Sequence, residues 1–256
     1  MCLILFAWKM NQNFPLVLAA NRDEFYERPS APAAFWEDAP DLLAGRDLRE
    51  GGTWLGITRS GRIAALTNYR DPASLKTTAP SRGRLVTDYL LGQETPAAYL
   101  DHIQHDSHRF NGFSLLVGDT EELFCFSNRG ATQRLIPGIY GLSNRLLDTP
   151  WPKIEKGKMF LQTILKEKEC LSMEALFSLL EDRTRPPDDR LPDTGVGLEW
   201  ERILSPLFIE SAVYGTRSST VLLIDREGCV TFAERVFNGA ADPRMTAHFA
   251  FRIEGS

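Results

Sequence analysis

The sequence predicts an α+β protein in which two stacked, mostly antiparallel sheets lie between outer layers of helices. Short apolar strands occur in pairs separated by polar turns, and amphipathic helices interrupt these pairs. The runs CLILFAW and STVLLID are apolar at almost every position, so neither has a face suited to water. Strands that are covered on both faces need a layer on each side, which favours stacked sheets.

The first elements in the chain are predicted to be hairpins. Cys2–Trp8 and residues 15–20 flank the polar turn KMNQNF and should pair, with the hairpin ending at the segment NRDE. Residues 26–43 are rich in proline, alanine and acidic side chains, which is typical of a long ordered loop. TWLGIT and IAALTN then predict a second hairpin across the turn RSGR.

Helices are expected next. Ser81 is a candidate cap for a helix that runs through Leu90, and Thr95 followed by Pro96 should start another that runs through Ile103. FSLLVGD and ELFCFSN predict a third hairpin. Short strands are expected over residues 134–142.

The second half of the chain repeats this alternation. Residues 151–166 and 172–182 have the three-to-four residue apolar spacing of amphipathic helices. A polar, proline-rich insert follows over residues 183–197. Strands are then predicted at STVLLID, VTFAERV and FAFRI.

Bulk properties exclude several classes of function. The 256 residues, 43% of them hydrophobic, predict one domain over residues 1–256. The net charge of -5 and the scattered basic residues give no footprint for nucleic acid. Four irregularly spaced cysteines predict reduced thiols and a cytoplasmic protein. We expect no signal peptide and no membrane span.

Cys2 is the first candidate for chemistry. Methionine is commonly removed ahead of a small residue, which would leave Cys2 as the amino terminus; if Met1 is retained, Cys2 has no α-amine. After removal of Met1, the α-amine of Cys2 would titrate at about 7.7 to 8.0 and could activate the thiol of the same residue as a general base. The alternative interpretation is that Cys2 is a small buried hydrophobic residue.

The segment NRDE offers partners for this cysteine. It follows the second strand of the first hairpin, so it should lie near the start of the first strand. Asp23 could hold the amine, and Arg22 could lower the pKa of the thiol. A solvated, charged loop is the alternative that spacing alone favours.

Several ordered blocks resemble the NRDE family, also called the transport-and-Golgi-organisation-two family. These blocks are CLILFAW with NRDE, GGTWLGIT, ALTNYRDP, SRGRL, GLSNRLLDTPWPK and YGTRSSTVLLID. They cover nearly the whole chain in the family's order. The chain departs from the family most in the acidic loop after Glu27 and in the insert before Glu199.

The same landmarks are more remotely similar to the cysteine branch of the N-terminal nucleophile (Ntn) hydrolases, such as penicillin V acylases and bile salt hydrolases. That similarity implies a four-layer αββα fold and cleavage of a non-peptide carbon–nitrogen amide bond in a small molecule. It implies a catalytic set of Cys2, Asp23, Asn68, Asn144 and Arg217. Cys2 would attack, Asp23 would orient the amine, and Asn68 and Asn144 would stabilise the oxyanion.

Two further implications concern charge and substrate. Arg217 would keep the thiol acidic, although turns and surface ion pairs also account for such asparagines and arginines. Those acylases carry an arginine three positions before the aspartate, where this chain has Ala20. Arg22, Trp54 and Tyr69 are the expected substrate-binding residues, and the two aromatic rings also fit a core position.

The NRDE resemblance implies a rival function, because that family is associated with haem trafficking and with lipid or acyl-carrier metabolism. A non-catalytic carrier would hold haem or lipid as cargo, and neither hypothesis requires a cofactor. HIQHDSH places three histidines, His102, His105 and His108, at three-residue intervals. A solvated helix face is favoured over a metal site there, so no metal is expected.

Overall fold

The computed structural model describes residues 2–166, 171–237, 239 and 243–254. The strands within these residues are β1 (Cys2–Trp8), β2 (Leu16–Phe25), β3 (Ser30–Trp36), β4 (Ala39–Asp47), β5 (Leu55–Thr58), β6 (Ile63–Asn68), β7 (Phe113–Gly118), β8 (Leu123–Ser127), β9 (Gln133–Arg134), β10 (Gly138–Leu142), β11 (Tyr214–Ile224), β12 (Cys229–Val236) and β13 (Met245–Arg252). The α-helices are α1 (Gly83–Leu91), α2 (Pro96–Asp106), α3 (Pro152–Lys166), α4 (Met173–Leu180) and α5 (Leu198–Leu204).

The described strands form a six-stranded first sheet and a seven-stranded second sheet. The order is β10-β1-β2-β11-β12-β13 in the first and β3-β4-β5-β6-β7-β8-β9 in the second. Neighbouring strands pair antiparallel in both. The predicted antiparallel α+β class is therefore confirmed.

Three apolar interfaces hold the layers together. One cluster fills the space between the sheets, for example Phe6 with Leu116. A second joins the outer face of the second sheet to α1 and α2, and a third joins the outer face of the first sheet to α3 and α4. Helices on both outer faces of two stacked sheets make the αββα arrangement that the resemblance implied.

Strand β1 is buried on both faces, which explains its continuous apolar sequence. Leu3, Leu5 and Ala7 pack toward α3 and α4. Ile4 and Phe6 face the opposite way, into the space between the sheets. Because side chains alternate along a strand, Cys2 lies on the same face as Ile4.

Several predicted boundaries were right. The hairpins β1–β2, β5–β6 and β7–β8 form as expected. Thr95 caps α2, since its side chain accepts a hydrogen bond from the Ala98 N–H at 3.3 Å. The predicted helices over residues 151–166 and 172–182 correspond to α3 and α4.

The loop predicted over residues 26–43 was wrong, because this segment contains β3 and most of β4. β3 is an edge strand, where Pro32 is tolerated and where polar composition hides the strand pattern. The first hairpin does not end at NRDE either, since β2 continues through it to Phe25. Arg82, and not Ser81, is the residue that precedes α1.

The insert at residues 183–197 contains a short 3₁₀ turn, Asp188–Arg190, and is followed by α5, which the sequence patterns did not predict. In the described part of the chain, the helices are too short or too polar to cross a bilayer. Cys170 lies outside the described residues.

Candidate active site

Cys2 and Arg22 are directly opposite each other in the β1–β2 ladder. Directly opposite residues share a face of the sheet, with Cβ atoms about 4.5–5.5 Å apart. Both side chains therefore point into the space between the two sheets. Cys2 is partly exposed, whereas Arg22 is only 6% exposed. The predicted proximity of the cysteine and the NRDE segment thus follows from strand register.

A cavity of about 240 Å³ lies at this end of the space between the sheets. The first sheet contributes Cys2 and Arg22 to its wall, and the second sheet contributes Asn68 from β6 and Trp54 from the loop between β4 and β5. Arg82, next to α1, closes another side. The wall is mostly polar, which suits a small polar ligand more than an acyl chain or a macrocycle.

Trp54 orients Arg22 within this cavity. The Arg22 guanidinium carbon lies 4.2 Å from the Trp54 ring centroid, and Nη1 donates to Ser30 Oγ at 3.3 Å. A cation stacked on an aromatic face is held electrostatically and loses little by partial burial. Gly45 makes room for the ring, because a Cβ there would lie 2.4 Å from Trp54 Cη2.

The opposite wall depends on a backbone contact between two glycines. A Cβ on Gly52 would lie 2.7 Å from the carbonyl carbon of Gly83, which is closer than real Cβ atoms approach. This contact seats the first turn of α1 against the segment that leads into β5. Arg82 is thereby held at the cavity, and its Nη1 donates to the Gly112 carbonyl at 3.0 Å.

Asn68 and Asn144 lie together but differ in what they can reach. Asn68 lines the cavity, and its side-chain amide makes no hydrogen bond to any residue in the described part of the chain. Asn144 is fully buried, and its Nδ2 donates to the Asn68 carbonyl at 3.0 Å. Its Oδ1 accepts from Arg70 at 3.3 Å. Asn144 therefore fixes the backbone position of Asn68, which lines the cavity.

Asp23 points to the other side of β2. Its Oδ1 accepts from the Thr216 hydroxyl at 2.8 Å, and the residue is 1% exposed. Burial raises the pKa of Asp23 to about 6, although the Lys153 ammonium and the Thr216 hydroxyl act to lower it. The carboxylate is therefore mostly ionised at neutral pH.

Lys153 and an ion pair surround this carboxylate. Lys153 Nζ donates to the Leu204 carbonyl at 3.0 Å, and burial lowers its pKa to about 8. Arg70 Nη1 lies 2.6 Å from Glu201 Oε2, and both side chains are at most 4% exposed. Two cations and two carboxylates thus share one buried polar cluster. Such a cluster is stable only while each charge keeps its partners.

The Cys2 thiol is not acidic in this environment. Burial raises the pKa of the Cys2 thiol above its ordinary value, and the Asp23 charge acts in the same direction. Arg22 and the backbone N–H of Asp23, which donates to the sulfur, act to lower it. Since burial prevails, a thiolate would form only with a base to take the proton.

Arg217 and Tyr69 lie away from the cavity wall. Arg217 Nη1 donates to the carbonyls of Phe25 and Arg28, each at 2.9 Å, and so fastens the turn between β2 and β3. Tyr69 lies 4.8 Å from the Arg145 guanidinium. Arg22, and not Arg217, is therefore the cation opposite the sulfur. Arg22 lies on the same strand face as Ala20, two positions along.

The three predicted surface histidines also lie outside the cavity. His102 and His105 belong to α2, and His108 follows it, with all three side chains exposed. His105 and His108 each place Nδ1 within hydrogen-bond distance of a backbone carbonyl. In the part of the chain that the structure describes, no three histidine, cysteine or acidic residues lie close enough together to bind a metal ion.

Sequence reasoning missed Arg70, Lys153, Glu201 and Arg82. Arg70 and Arg82 occur within blocks that carried the family resemblance, yet no pattern assigned them a role. Lys153 follows the helix-starting proline of α3, where an exposed lysine is the ordinary expectation. The sequence signal that could have found Glu201 is a charged residue on the otherwise apolar face of α5, where Leu204 is also buried.

The αββα layers and the cysteine at the start of a central strand define the class, an Ntn-hydrolase-like fold. Solved structures agree on that fold alone. A Caenorhabditis elegans N-acylethanolamine-hydrolyzing acid amidase ortholog superposes with a TM-score of 0.51 at 12% identity, covering 97% of this chain and 100% of that one. A mutant conjugated bile acid hydrolase from Clostridium perfringens gives 0.52 at 6% identity, covering 98% and 97%.

Sequence comparison identifies the family within that class. The profile of the Transport and Golgi organisation 2 family matches residues 1–239. The Transport and Golgi organization protein 2 homolog of Bos taurus is 38% identical over 277 residues, covering 99% of this chain and all of the relative. The chain belongs to the Transport and Golgi organisation 2 family, as the sequence blocks indicated.

Proposed function

We propose that this protein hydrolyses a non-peptide carbon–nitrogen amide bond in a small molecule, with Cys2 as the nucleophile. The observation that carries the proposal is that Cys2 and Asn68 line the same small polar cavity, and that the Asn68 side-chain amide makes no hydrogen bond among the described residues. A nucleophile and a hydrogen-bond donor for an oxyanion are the two groups that acyl transfer needs within reach of one carbonyl.

The base in this proposal is the α-amine of Cys2 after removal of Met1. The amine takes the thiol proton, and the sulfur attacks the amide carbonyl carbon to give a tetrahedral oxyanion. As the oxyanion collapses, the carbon–nitrogen bond breaks and the proton passes from the amine to the leaving nitrogen. Water then hydrolyses the thioester to a carboxylic acid and restores the thiol.

The surrounding residues have separate roles. Asn68 donates to the oxyanion, and Asn144 acts indirectly by holding the Asn68 carbonyl at 3.0 Å. Asp23 lies at the strand position beside the Cys2 backbone and, being ionised, stabilises the amine when it carries the proton. Arg22 opposes Cys2 and stabilises negative charge on the sulfur.

The names of the two structural neighbours support the choice of bond. One is described as hydrolysing N-acylethanolamines and the other as a conjugated bile acid hydrolase. At 12% and 6% identity they supply the chemistry to test and no particular substrate. A cytoplasmic location also belongs to the proposal, because a reducing compartment keeps a nucleophilic thiol free.

The alternative of a haem or lipid carrier has less support at this cavity. A volume of about 240 Å³ is below the roughly 300–1,000 Å³ of typical small-molecule sites, and the wall is mostly polar. Haem and acyl chains present mostly apolar surface, so their burial there would leave N–H groups of Arg22 and Arg82 unsatisfied beyond the contacts that these residues make with Trp54, Ser30 and Gly112.

Two measurements test the hydrolase proposal. Intact mass should show that the purified chain lacks Met1, and a panel of N-acyl amides should contain a substrate that wild type cleaves. Cys2→Ser should reduce that turnover on the order of a thousandfold or more. Cys229→Ser, at an exposed free cysteine, is the matched control and should keep full activity.

Retention of Met1 on an active enzyme would remove the proposed base. Equal turnover by Cys2→Ser and wild type would remove the nucleophile. Saturable haem or lipid binding by wild type and Cys2→Ser alike, with no amide cleaved, would instead establish a carrier.

A further inference from the structure

Arg82 is a cation at the cavity without an acidic partner. Among the described residues, no carboxylate lies within ion-pair distance of its guanidinium. Its one hydrogen bond there is from Nη1 to the Gly112 carbonyl, so its other N–H groups are available. A guanidinium in a fixed position presents paired donors that match the two oxygens of a carboxylate.

None of the carboxylates near the cavity makes an ion pair with Arg82 among the described residues. Arg28 lies 2.7 Å from Asp47 and 3.9 Å from Glu24, which compensates both acids. Asp23 points to the other side of β2 and binds Thr216. Glu50 is exposed at the rim. Glu24 acts on Arg82 electrostatically, but it lies within ion-pair distance of Arg28 and not of Arg82, so the Arg82 guanidinium has no acid in direct contact among the described residues.

Arg22 does not fill the same role, because it is engaged at the sulfur. It opposes Cys2 in the ladder and is stacked on Trp54. The buried Glu234 also acts on Arg22 electrostatically, although it accepts its own hydrogen bond from the Ala33 N–H at 2.7 Å. The two cations thus differ in partners: one faces the nucleophile, and the other faces open cavity.

Arg82 and Cys2 are close enough to interact electrostatically. Burial lowers the pKa of Arg82, while the negative charge of Glu24 and, to a smaller extent, a negative charge on Cys2 raise it. The electrostatic attraction between a guanidinium and an anion is stronger when the guanidinium is half-buried than when it is fully solvated. The distance across a cavity of about 240 Å³ also limits the ligand to a few heavy atoms between the two groups.

We propose that the substrate carries a carboxylate, which Arg82 binds while the amide carbonyl lies at Cys2. The proposal rests on the proposed function, since it places the carboxylate on the amide that Cys2 would cleave. The substrate class is then a short N-acyl amide with a carboxylate on either its amine or its acyl portion. Arg82 is the residue that distinguishes such a substrate from a neutral amide.

Binding to the full-length Cys2→Ala variant tests this without turnover. Isothermal titration at low ionic strength would compare N-acetylglycine with N-acetylglycinamide, and succinamate with succinamide. The first member of each pair carries the carboxylate, on the amine side or on the acyl side. At least one carboxylate probe should bind about tenfold tighter than its neutral partner.

Substitutions at Arg82 and Arg84 test whether Arg82 causes the preference for carboxylate probes. In the Cys2→Ala background, Arg82→Gln should abolish the preference for the carboxylate, and Arg82→Lys should keep part of it. Arg84→Gln removes an exposed guanidinium two residues away and should leave the preference unchanged. Thermal unfolding of each variant checks that it is folded.

Three results would overturn the proposal: equal or tighter binding of the neutral probes, no measurable binding of either carboxylate probe, or the same loss in Arg84→Gln. Tighter, Arg82-dependent binding of inorganic phosphate would replace carboxylate with phosphate as the class. Failure of the hydrolase proposal would give a different result from failure of the carboxylate proposal. Wild type would then bind the carboxylate probes but cleave none of the N-acyl amides.

Discussion

The side chains of the NRDE segment lie on two faces of β2 that have different surroundings. Arg22 and Glu24 lie on the cavity side of β2, where they form part of a polar wall. Asn21 and Asp23 lie on the helix side, where Asn21 Nδ2 donates to the carbonyls of Leu180 and Leu207. The side chains of this four-residue segment thus alternate between the cavity and a buried polar cluster.

In the hydrolysis that we propose, this difference separates the residues that react from the residues that hold them in position. The cavity side offers a thiol, an amide and two guanidiniums with open hydrogen-bonding capacity. The helix side has its charges compensated, as in the Arg70–Glu201 pair at 2.6 Å. Substitutions on the helix side should therefore alter stability and pKa values, and those on the cavity side should alter chemistry.

The largest effect should come from the buried ion pair. Glu201→Gln leaves the Arg70 charge without its partner and should lower the free energy of unfolding by about 3 kcal/mol or more. The neighbouring Arg202→Gln breaks an exposed pair with Asp188 and should lower it by less than about 1 kcal/mol. Urea unfolding of both variants measures the contrast. The helix-side cluster consists of Asp23, Lys153, Arg70 and Glu201. Equal losses of unfolding free energy would show that the stability of this cluster does not depend on the Arg70–Glu201 pair.

The next largest effects should come from Asn68 and Asn144, which should respond differently to substitution. Asn68→Ala removes the proposed oxyanion donor and should reduce kcat about 10² to 10³-fold with little change in unfolding free energy. Asn144→Ala should reduce kcat and also lower stability by about 1–3 kcal/mol, because Arg70 and the Asn68 carbonyl lose a buried partner. Steady-state kinetics and urea unfolding on the same preparations distinguish the two patterns. Identical behaviour of the variants would contradict the separate roles.

A shift in pH dependence is the third expected effect. The Lys153 ammonium favours the ionised form of Asp23, so Lys153→Met should raise the Asp23 pKa above its present value of about 6. Activity that needs the carboxylate should then fall at a pH about one unit higher than in wild type. Profiles of kcat/KM against pH measure the acidic limb. Lys156 lies about one helical turn after Lys153 and is paired with Asp182. Lys156→Met is therefore the control and should leave the acidic limb of the profile at its wild-type pH.

The smallest effect should be on the thiol itself. Arg22 lowers the pKa of Cys2, so Arg22→Gln should raise it and slow alkylation by iodoacetamide at pH 7 about threefold. Alkylation of the exposed Cys229 in the same sample, followed by mass spectrometry, is an internal control. Arg22→Lys should recover part of the rate. Slower alkylation of both cysteines would point to a general change and not to a local charge.

The layer architecture was predictable because it depends on local patterns. Paired apolar strands and amphipathic helices carry their periodicity within a few residues, and so β1, β2, α3 and α4 were located correctly. The edge strand β3 was missed because its exposed positions and Pro32 resemble a loop. An edge strand has one paired side and needs a less regular pattern than a central strand.

The site was only partly predictable, for a geometric reason. The order of landmarks identified Cys2, Arg22 and Asp23, and β2 placed them together. Alternation along β11 then fails, because a bulge between Thr216 and Ser218 adds one residue against β2. Thr216 faces Asp23 and Ser219 binds Asn21, an odd spacing for one face of a strand. The sequence contains no clear sign of that bulge.

The helix-side cluster was beyond local reasoning altogether. Lys153 reaches Asp23 only because α3 packs on the first sheet, and Glu201 reaches Arg70 across 131 residues of sequence. Such contacts depend on how layers dock, which short patterns do not encode. Buried charges of this kind look like ordinary surface residues until the layers are assembled.

The cavity draws its walls from three places, the first sheet, the second sheet and the Gly52–Gly83 contact beside α1. In the hydrolysis that we propose, Cys2 on the first sheet alone has no oxyanion donor, no anchor for a ligand and no enclosed volume. Turnover would therefore require that both sheets and α1 have docked, so any substitution that loosens this docking should lower activity even when it lies far from the sulfur.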